Sequence, residues 1–505
     1  MFSWKCRLLS NMSLLKKLAG ETAIYGLSSI IGRVLNLLLV PLYTRVFPES
    51  EYGIVAELYA VVGFLMVLFI YRMDTAFFRF GTDKESREKV FSNSIWSVAG
   101  TSLLFSLLIF VFSNEIAAWF SFSAGQVVYV KIFGLILGLD TLSEIPLAKL
   151  RLENRAKRFA VIRLAGIALN IGFNLFFLLL CPWLLRQGIA AGFVQKVYDP
   201  SYGILYIFVS NLIASASVLL LLLPDLLHVK WEFDTRLWKT MFLYAAPLVL
   251  ASLAGIVNEM LDRVLLVSQL PYDIETNRGQ VGVYSACYKL AMLMSLFTQA
   301  FRYAAEPFFF ANAKNKDAKI LYADVTKYFT IVGALGFLAI TFYLDFLKYF
   351  IDEDYWEGLV VVPILLMANL FLGLYYNVSI WYKLTDRTMI GGLIALGGAA
   401  ITIVLNILWI PRFGYLGSAW ATLICYVSMT LASWWWGRKY YSVKYDLKRI
   451  IFYVSLSLLL FCLSDMFQNM PNVNQQIIYV VNTVFIFLFI FITWRLEKDN
   501  LTLLA

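Results

Sequence analysis

Apolar runs long enough to cross a lipid bilayer recur along the whole chain, and they constrain its fold more than any other feature. A helix needs about 20 mostly apolar residues to span the hydrocarbon core. Inside that core the backbone must satisfy its own hydrogen bonds, so runs of this length fold as helices. The sequence therefore predicts an all-α polytopic membrane protein. Fourteen runs are present, at 21–47, 53–79, 90–112, 127–149, 159–181, 201–223, 238–269, 281–310, 323–344, 358–382, 388–410, 415–436, 449–467 and 475–494.

The composition agrees with this class. Of the 505 residues, 61% are hydrophobic and 15% are charged, whereas soluble chains average roughly 45–50% apolar and about 25% charged residues. The net charge is +9, but the basic residues lie in short tracts between apolar runs, which favours membrane topology over nucleic-acid binding. One histidine and five scattered cysteines argue against a disulfide framework or a metal site. We expect no metal and no cofactor.

Lysine and arginine are distributed unequally between alternate loops. Roughly thirty basic residues fall on one side of the predicted membrane and about seven on the other. Because cytoplasmic loops carry the excess of basic residues, both termini are predicted to be cytoplasmic. No cleavable signal peptide is expected at the N-terminus. Met12 offers a second start, so residues 1–11 are either native or an upstream extension.

Short motifs recur at an offset near 230 residues. The segment Leu152-Glu153-Asn154-Arg155 is followed by Asn174, nineteen residues after its arginine. The segment Leu384-Thr385-Asp386-Arg387 is followed by Asn406 at the same interval. An offset of six helices preserves the orientation of the copies, so the repeat is parallel, with its axis along the membrane normal.

The repeat predicts a division of the chain into lobes. A cytoplasmic segment, 1–20, precedes an N-lobe of six helices at 21–235. A C-lobe of six helices follows at 236–446, and residues 447–505 add two helices and a cytoplasmic tail. The two pseudo-symmetric lobes are expected to surround a central cavity.

Charged residues interrupt the apolar runs, most of them on the first, second, seventh and eighth predicted helices. Each charge at the bilayer centre costs at least about 2.5–3.5 kcal/mol if it faces lipid. About a dozen such costs would exceed the roughly 5–15 kcal/mol net stability of a fold, so these groups must face the protein interior, paired or wet. They are Arg33, Glu57, Arg72, Asp74, Asp140, Glu144, Glu259, Asp262, Arg263, Lys289, Arg302 and Glu306.

The basic members of this set point to an anionic ligand. Arg33 and Arg263 are 230 positions apart, and so are Arg72 and Arg302. The repeat would bring these four arginines to related places around one cavity, and Lys289 belongs to the same candidate set. Guanidinium groups bind phosphate through a planar fork of donors and stay charged at any relevant pH. We therefore predict a cavity that accepts an anionic, phosphate-bearing headgroup.

The acidic members have two readings. They are either a proton- or cation-coupling site or simply charge partners of the arginines. The i,i+4 spacing of Arg302 and Glu306, and of Glu259 and Arg263, favours structural ion pairs, and Asp140 and Glu144 share one helical face. The candidates for coupling or charge pairing are Asp74, Asp140, Glu144, Glu259, Asp262 and Glu306.

Two segments resemble a known family. The first runs from Gly32-Arg33 through Pro41-Leu42-Tyr43-Thr44-Arg45 to Glu51-Tyr52-Gly53. The second begins at Asn406 and continues through Ile410-Pro411 and Phe413-Gly414-Tyr415-Leu416-Gly417-Ser418-Ala419 to Ala421-Thr422. Together with the helix count and the repeat, they resemble the polysaccharide biosynthesis flippases, which move O-antigen and exopolysaccharide units. These belong to the multidrug/oligosaccharidyl-lipid/polysaccharide exporter superfamily.

The resemblance implies a function. Such proteins move undecaprenyl-pyrophosphate-linked oligosaccharides from the cytoplasmic to the periplasmic leaflet of the bacterial inner membrane, by alternating access. It implies a cavity lined by helices one, two, seven and eight, and Arg33 matches a cavity arginine of related flippases. Expected partners are the lipid-linked oligosaccharide, the bilayer, and polysaccharide polymerases and glycosyltransferases, with no nucleic acid.

Other functions stay open. A cation-coupled multidrug exporter and a lipid II flippase belong to the same superfamily. A membrane enzyme is disfavoured, because the loops are short and neither a phosphate-binding Gly-x-x-x-x-Gly-Lys loop nor a His-Glu-x-x-His zinc motif is present. We therefore expect a transporter and not an enzyme.

Overall fold

The computed structural model describes residues 26, 30–83, 85–227, 229–230, 232–313, 315, 317–468, 470–471 and 474–501. These residues are predominantly helical and contain no strand, which confirms the predicted all-α class. They form two compact units. The N-terminal unit holds the described residues up to Phe47 together with Ile54–Ile256, and the C-terminal unit holds Pro48–Gly53 and the described residues from Val257 onward. The predicted lobe boundary at 235/236 lies at the start of the helix that contains this division.

Twelve α-helices begin in the first half of the chain, and α3 and α12 each contribute residues to both units. They are α1 (30–37), α2 (Val40–Val46), α3 (Glu49–Ile70), α4 (Met73–Phe80), α5 (Arg87–Val111), α6 (Ser113–Trp119), α7 (Val127–Leu152), α8 (Ala156–Leu175), α9 (Cys181–Gln187), α10 (Ala191–Val197), α11 (Leu205–Leu227) and α12 (Thr235–Gln269).

The remaining helices belong to the C-terminal unit. They are α13 (Ile274–Asn312), α14 (Ala318–Phe342), α15 (Leu344–Leu347), α16 (Val361–Val378), α17 (Ile380–Leu384), α18 (Thr388–Tyr440), α19 (Leu447–Gln468) and α20 (Gln475–Leu501).

Twelve helical segments within the described residues are long and apolar enough to cross a membrane, so the chain is a multi-pass membrane protein. One of them, α18, is 53 residues long and contains Gly414 at φ 57° and ψ −143°, a non-helical conformation. It therefore comprises two helices, which correspond to the predicted spans 388–410 and 415–436. The first predicted span, 21–47, lies partly outside the described residues. A total of fourteen spans remains a prediction.

One of the predicted membrane helices is broken, whereas two longer ones are not. The long helices α12 and α13 have 35 and 39 residues and are each continuous. The second predicted helix does break, because Tyr71 and Arg72 adopt φ of 35° and 60° between α3 and α4. Left-handed backbone in non-glycine residues costs of order 1 kcal/mol each and persists only where the surroundings enforce it.

The two copies of the predicted repeat share local geometry. Asn154 and Asp386, at matching positions of the motif, both have φ of 56°. The next amide in each copy bonds back five residues, from Arg155 to the Leu150 carbonyl and from Arg387 to the Tyr382 carbonyl, at 2.8 and 2.7 Å. This is the bond that closes a helix C-terminus in a Schellman motif.

A close helix crossing lies within the C-terminal unit. The first turn of α3 packs against α13 with a glycine on each side. A Cβ atom on Gly53 would overlap the carbonyl oxygen of Arg278, and one on Gly282 would overlap the carbonyl oxygen of Glu49. Only glycine lets the two backbones approach so closely.

The two appended helices, α19 and α20, are anchored to α14 by buried polar groups. Glu497 is 2% exposed and accepts hydrogen bonds from Arg449 at 2.5 Å and Tyr453 at 2.7 Å. Its second oxygen lies 2.8 Å from Lys327 Nζ on α14. Near the opposite end of these helices, Asn482 donates to the Phe342 carbonyl at 3.0 Å. Both ends of the pair are thereby fixed within the C-terminal unit.

Candidate functional site

A polar cavity of about 520 Å³ lies inside the N-terminal unit. Residues of α1, α3, α7, α8 and α11 line it, so it lies among the membrane-spanning helices of one unit. It holds three of the residues predicted from sequence, Arg33, Asp140 and Glu144. Its polar lining is Arg33, Asn36, Asp140, Ser143, Glu144, Arg151, Arg163, Asn170, Asn211 and Ser215.

The charges in this cavity are only partly balanced. Glu144 on α7 forms an ion pair with Arg163 on α8 at 2.5 Å. Asp140, one turn before Glu144, is hydrogen-bonded to Ser215 on α11. Three guanidinium groups and two carboxylates leave a formal charge of +1. Arg33 is exposed and has no partner among the described residues, so it is the cation available to a ligand.

The neutral polar groups are held by a second set of contacts. Asn211 donates to the Tyr59 hydroxyl at 2.8 Å. Asn174 donates to the Asn170 side-chain oxygen at 3.1 Å and accepts from the Tyr43 hydroxyl at 2.9 Å. These bonds fix the wall formed by α8 and α11. Asn36, one turn from Arg33 on α1, is exposed, and its side chain makes no hydrogen bond to the described residues, so its amide is open to a ligand.

The cavity lies nearer one end of the unit. Asp140 is the fourteenth residue of α7, about 20 Å from its start. Arg151 is near the end of α7, and Phe159 lies in the first turn of α8. Phe159 packs between two cavity arginines, with Arg151 and Arg163 at 5.7 and 5.9 Å from its ring. The cavity is thus on the side of the α7–α8 connection.

Arg72 and Asp74 lie elsewhere in the N-terminal unit, at the break between α3 and α4. Arg72 has left-handed backbone and precedes α4 directly. Its Nε atom and the Asp74 Oδ1 atom are buried, without a hydrogen-bond partner in the described structure. Neither residue is among those that line the 520 Å³ cavity. The placement of Arg33 and Arg72 around one central cavity with their repeat counterparts remains a prediction.

In the C-terminal unit, Arg302 and Glu306 line a cavity of about 130 Å³. Their predicted i,i+4 ion pair is present at 3.5 Å. The other Glu306 oxygen accepts a hydrogen bond from Lys383 on α17. The Arg302 guanidinium lies 4.6 Å from the centre of the Tyr376 ring. Two cations around one carboxylate again leave a formal charge of +1.

Arg263 has a different environment from its predicted counterpart Arg33. It is buried, and its Nη1 lies 3.0 Å from Asp262 Oδ1 and 2.8 Å from the Glu259 carbonyl oxygen. The guanidinium stacks 4.4 Å from the Tyr288 ring centre. Asp262 also accepts a hydrogen bond from the Tyr284 hydroxyl at 2.6 Å. These contacts fix Arg263 inside the C-terminal unit, so a role as ligand for substrate remains a prediction.

The other predicted charges are spread over the spans. Lys289 is half-buried on α13 and is not among the residues that line either cavity. Glu57 is buried on α3, and the Glu259 side chain is exposed on α12. Sequence reasoning missed Arg151, Arg163 and Lys383. Each lies near the end of a predicted helix. Basic residues at such positions were assigned to the loops, or were left out of the set of charges inside the membrane.

Comparison with known proteins gives the family. The profile of the family described as "Polysaccharide biosynthesis protein" matches residues 18–313, more than half of the chain. The chain belongs to this family. A search of curated protein sequences finds no match.

Similarity to solved structures shows the fold of this chain. The lipid II flippase MurJ in its inward closed conformation has a TM-score of 0.64 at 15% identity, covering 93% of this chain and 98% of MurJ. A MATE protein in complex with MaD3S has a TM-score of 0.60 at 13% identity, covering 84% and 95%. An inward-facing multidrug resistance MATE transporter of the MOP superfamily has a TM-score of 0.59 at 12% identity, and the match covers 81% of this chain and 94% of that transporter. The chain therefore has the fold of MOP-superfamily transporters.

Proposed function

We propose that this protein is a flippase that moves a polyprenyl-pyrophosphate-linked oligosaccharide across the bacterial inner membrane for surface polysaccharide synthesis. The observation that carries the proposal is the 520 Å³ cavity with the Arg33 guanidinium open to a ligand. A polar, net positive cavity among membrane-spanning helices has no role in packing, since each buried charge costs free energy. In a polysaccharide biosynthesis family member with a transporter fold, an anionic saccharide lipid is the ligand that fits it.

The location of the cavity supports the direction of transport. With both termini cytoplasmic, as the basic loops predict, the α7–α8 connection is cytoplasmic. The cavity then lies in the cytoplasmic half of the membrane, where lipid-linked oligosaccharides are assembled. Sugars would enter the protein there while the polyprenyl chain stays in lipid. Polymerases and glycosyltransferases that make and consume this substrate are the proposed partners.

A complementation experiment tests the proposal. A deletion strain would receive wild-type protein, Arg33→Gln or the control Arg186→Gln, which changes an exposed arginine on α9 outside the cavity. We expect Arg33→Gln to lower surface polysaccharide about tenfold and to accumulate the lipid-linked precursor, because a hydrogen bond to a charged group contributes about 1.5–3 kcal/mol. The control should behave as wild type, with all three proteins equally abundant.

Other outcomes assign other functions. Normal polysaccharide with altered drug sensitivity in the deletion strain would indicate a multidrug exporter. Loss of viability with accumulated lipid II would indicate a lipid II flippase. Normal polysaccharide with Arg33→Gln would show that the N-terminal-unit cavity does not bind the transported headgroup.

A further inference from the structure

We propose that an anionic phospholipid of the surrounding bilayer binds to a cationic patch at one end of the C-terminal unit, where the two ends of α18 meet. The cationic patch consists of four exposed residues, Lys319, Arg387, Arg438 and Lys439. The inference concerns a lipid site outside both cavities, and it holds whatever substrate the protein moves. It follows from the convergence of these cations, their charge balance and the apolar surface beside them.

Both ends of α18 contribute a cation to the same aromatic ring. Arg387 is the N-cap of α18 and Lys439 lies in its last turn, and the kink at Gly414 divides the helix into two spans that return to one end of the unit. The Arg387 guanidinium and the Lys439 Nζ lie 4.1 and 5.7 Å from the centre of the Tyr440 ring. That ring stacks on Trp381, which is 2% exposed, at 5.7 Å. The two cations therefore share a fixed base.

The other two cations also lie over aromatic rings. Lys319, in the first turn of α14, has its Nζ 4.9 Å from the centre of the Tyr441 ring, next in the chain to Tyr440. Arg438 lies 5.1 Å from the Trp434 ring, one turn earlier on α18. A ring attracts a cation through its face and accepts no conventional hydrogen bond. The ammonium and guanidinium groups therefore keep N–H donors for a phosphate.

The charges of the cationic patch are not balanced by carboxylates. Within the described residues, none of its four cations forms an ion pair. Two of the carboxylates nearby in the sequence, Asp324 and Asp446, pair with other basic residues. The remaining two, Asp317 and Asp386, are exposed, and counting them against the four cations leaves a formal charge of +2. An anion is therefore attracted to this end of the unit.

Apolar side chains continue from the cations along α18. Leu431, Trp435 and Lys439 follow at intervals of four residues and so share one helical face, on which Leu431 and Trp435 are 57% and 64% exposed. Beyond Arg387, Met389 and Leu393 are 80% and 51% exposed. A free anion has no use for such a surface. A phospholipid places its phosphate on the cations and its acyl chains along the apolar side chains, and basic clusters at membrane ends recognise anionic lipids in this way.

Lipid binding to the full-length protein in neutral detergent tests the inference. Phosphatidylglycerol and phosphatidylcholine would be titrated separately, and the bound lipid counted by native mass spectrometry. The test variant is Arg387→Gln with Lys439→Gln. Its matched control is Arg236→Gln with Lys157→Gln, which removes the same charge from exposed residues that contact no aromatic ring among the described residues.

We expect the test variant to bind phosphatidylglycerol about thirtyfold more weakly than wild type, since each basic residue near an anionic lipid contributes about fivefold in affinity. The control should bind it as wild type does, and phosphatidylcholine should bind weakly to all three proteins. A third variant, Arg387→Lys with Lys439→Arg, keeps both charges and should bind phosphatidylglycerol as wild type does.

Four results would overturn the inference. They are equal affinities for phosphatidylglycerol in the test variant and its control, equal affinities of wild type for the two lipids, and a charge-keeping variant as weak as the glutamine variant. The fourth is displacement of phosphatidylglycerol by an equimolar amount of inorganic phosphate, which would make the cationic patch a site for free anions. None of these results bears on the flippase function, which the complementation experiment tests separately.

Discussion

Removal of the Glu497 carboxylate is the perturbation whose cost follows most directly from the structure. Glu497 is 2% exposed and contacts Lys327, Arg449 and Tyr453 on the neighbouring helices. Lys327 is itself almost completely buried, with 5% of its side chain exposed. Without Glu497, Asp324 at 3.2 Å is the one carboxylate that Lys327 still contacts among the described residues. Breaking a buried ion pair by removing one partner costs about 3–5 kcal/mol, so we expect Glu497→Ala to destabilise the protein by that amount.

The assay can use the chain's own thiols. Cys181, Cys287 and Cys425 are buried and react with a fluorogenic thiol dye as the protein unfolds on heating. Cys462 is exposed and Cys6 lies outside the described residues, so both would first be replaced by serine. For a unit of about 250 residues, each 1 kcal/mol shifts the melting temperature by about 2–4 °C. A loss of about 3–5 kcal/mol in Glu497→Ala therefore lowers the melting temperature by about 10 °C.

A double variant separates the charge from the packing. Lys327→Met with Glu497→Leu removes both charges and keeps the volume, and replacement of a buried ion pair by apolar groups is often neutral. We expect it to recover most of the lost stability, although Arg449 then keeps only its contact with Asp446. An unchanged melting temperature in Glu497→Ala, or a double variant less stable than the single one, would refute the buried-charge argument.

Three further substitutions test backbone features. Gly53→Ala places a methyl group against a backbone carbonyl of α13, which cannot move away, and should lower the melting temperature by the equivalent of about 1–3 kcal/mol. Its control is Gly279→Ala, whose methyl group meets open space and should not lower the melting temperature. Gly414→Ala forces an alanine into a backbone conformation that favours glycine, and should lower the stability of the protein by about 1–3 kcal/mol. Its control is Gly397→Ala, whose methyl group meets open space and should not lower the stability. Arg72→Gly relieves the left-handed backbone strain, which costs about 1–2 kcal/mol. Glycine loses about 0.5–1 kcal/mol more conformational entropy on folding. Because the first contribution is at least as large as the second, this substitution should not lower the melting temperature.

The outcomes that contradict these expectations are specific. Equal melting temperatures for Gly53→Ala and Gly279→Ala would show that the close crossing does not exist in solution. An unchanged melting temperature in Gly414→Ala would show that α18 is a continuous helix with no kink at Gly414. A strongly destabilised Arg72→Gly would show that the arginine side chain, and not its backbone, fixes the break before α4.

Hydrophobicity alone predicted most of the fold. The apolar runs gave the membrane helices, because a segment of that length in lipid has one way to satisfy its backbone. The kink at Gly414 follows from glycine and the preceding Pro411, both readable in the sequence. The break at Tyr71 and Arg72 has no such signal, since neither residue favours left-handed backbone. Tertiary contacts, such as the hydrogen bond between the Tyr71 hydroxyl and Ser97, hold it instead.

The candidate site was predicted in part. Asp140 and Glu144 were placed on one helix face from their spacing, and both line the cavity with Arg33. The partner of Glu144, Arg163, lies on another helix, and sequence spacing carries no information about which helices are neighbours. Arg263 was expected to pair with Glu259 at i,i+4, but its guanidinium contacts the adjacent Asp262 and the Glu259 backbone instead. A neighbouring helix determines which carboxylate Arg263 contacts, because the Tyr284 hydroxyl on α13 donates a hydrogen bond to Asp262 and holds it in place.

The most direct test of the flippase function is transport by purified protein. Proteoliposomes would carry the extracted lipid-linked oligosaccharide in both leaflets, and an impermeant sugar-oxidising reagent would report the fraction exposed outside over time. We predict that wild-type protein moves the protected half to the outer leaflet, that Arg186→Gln does the same, and that Arg33→Gln slows transfer about tenfold. Transfer no faster than in protein-free vesicles would contradict the flippase function, and equal rates for wild type and Arg33→Gln would contradict the role of the cavity.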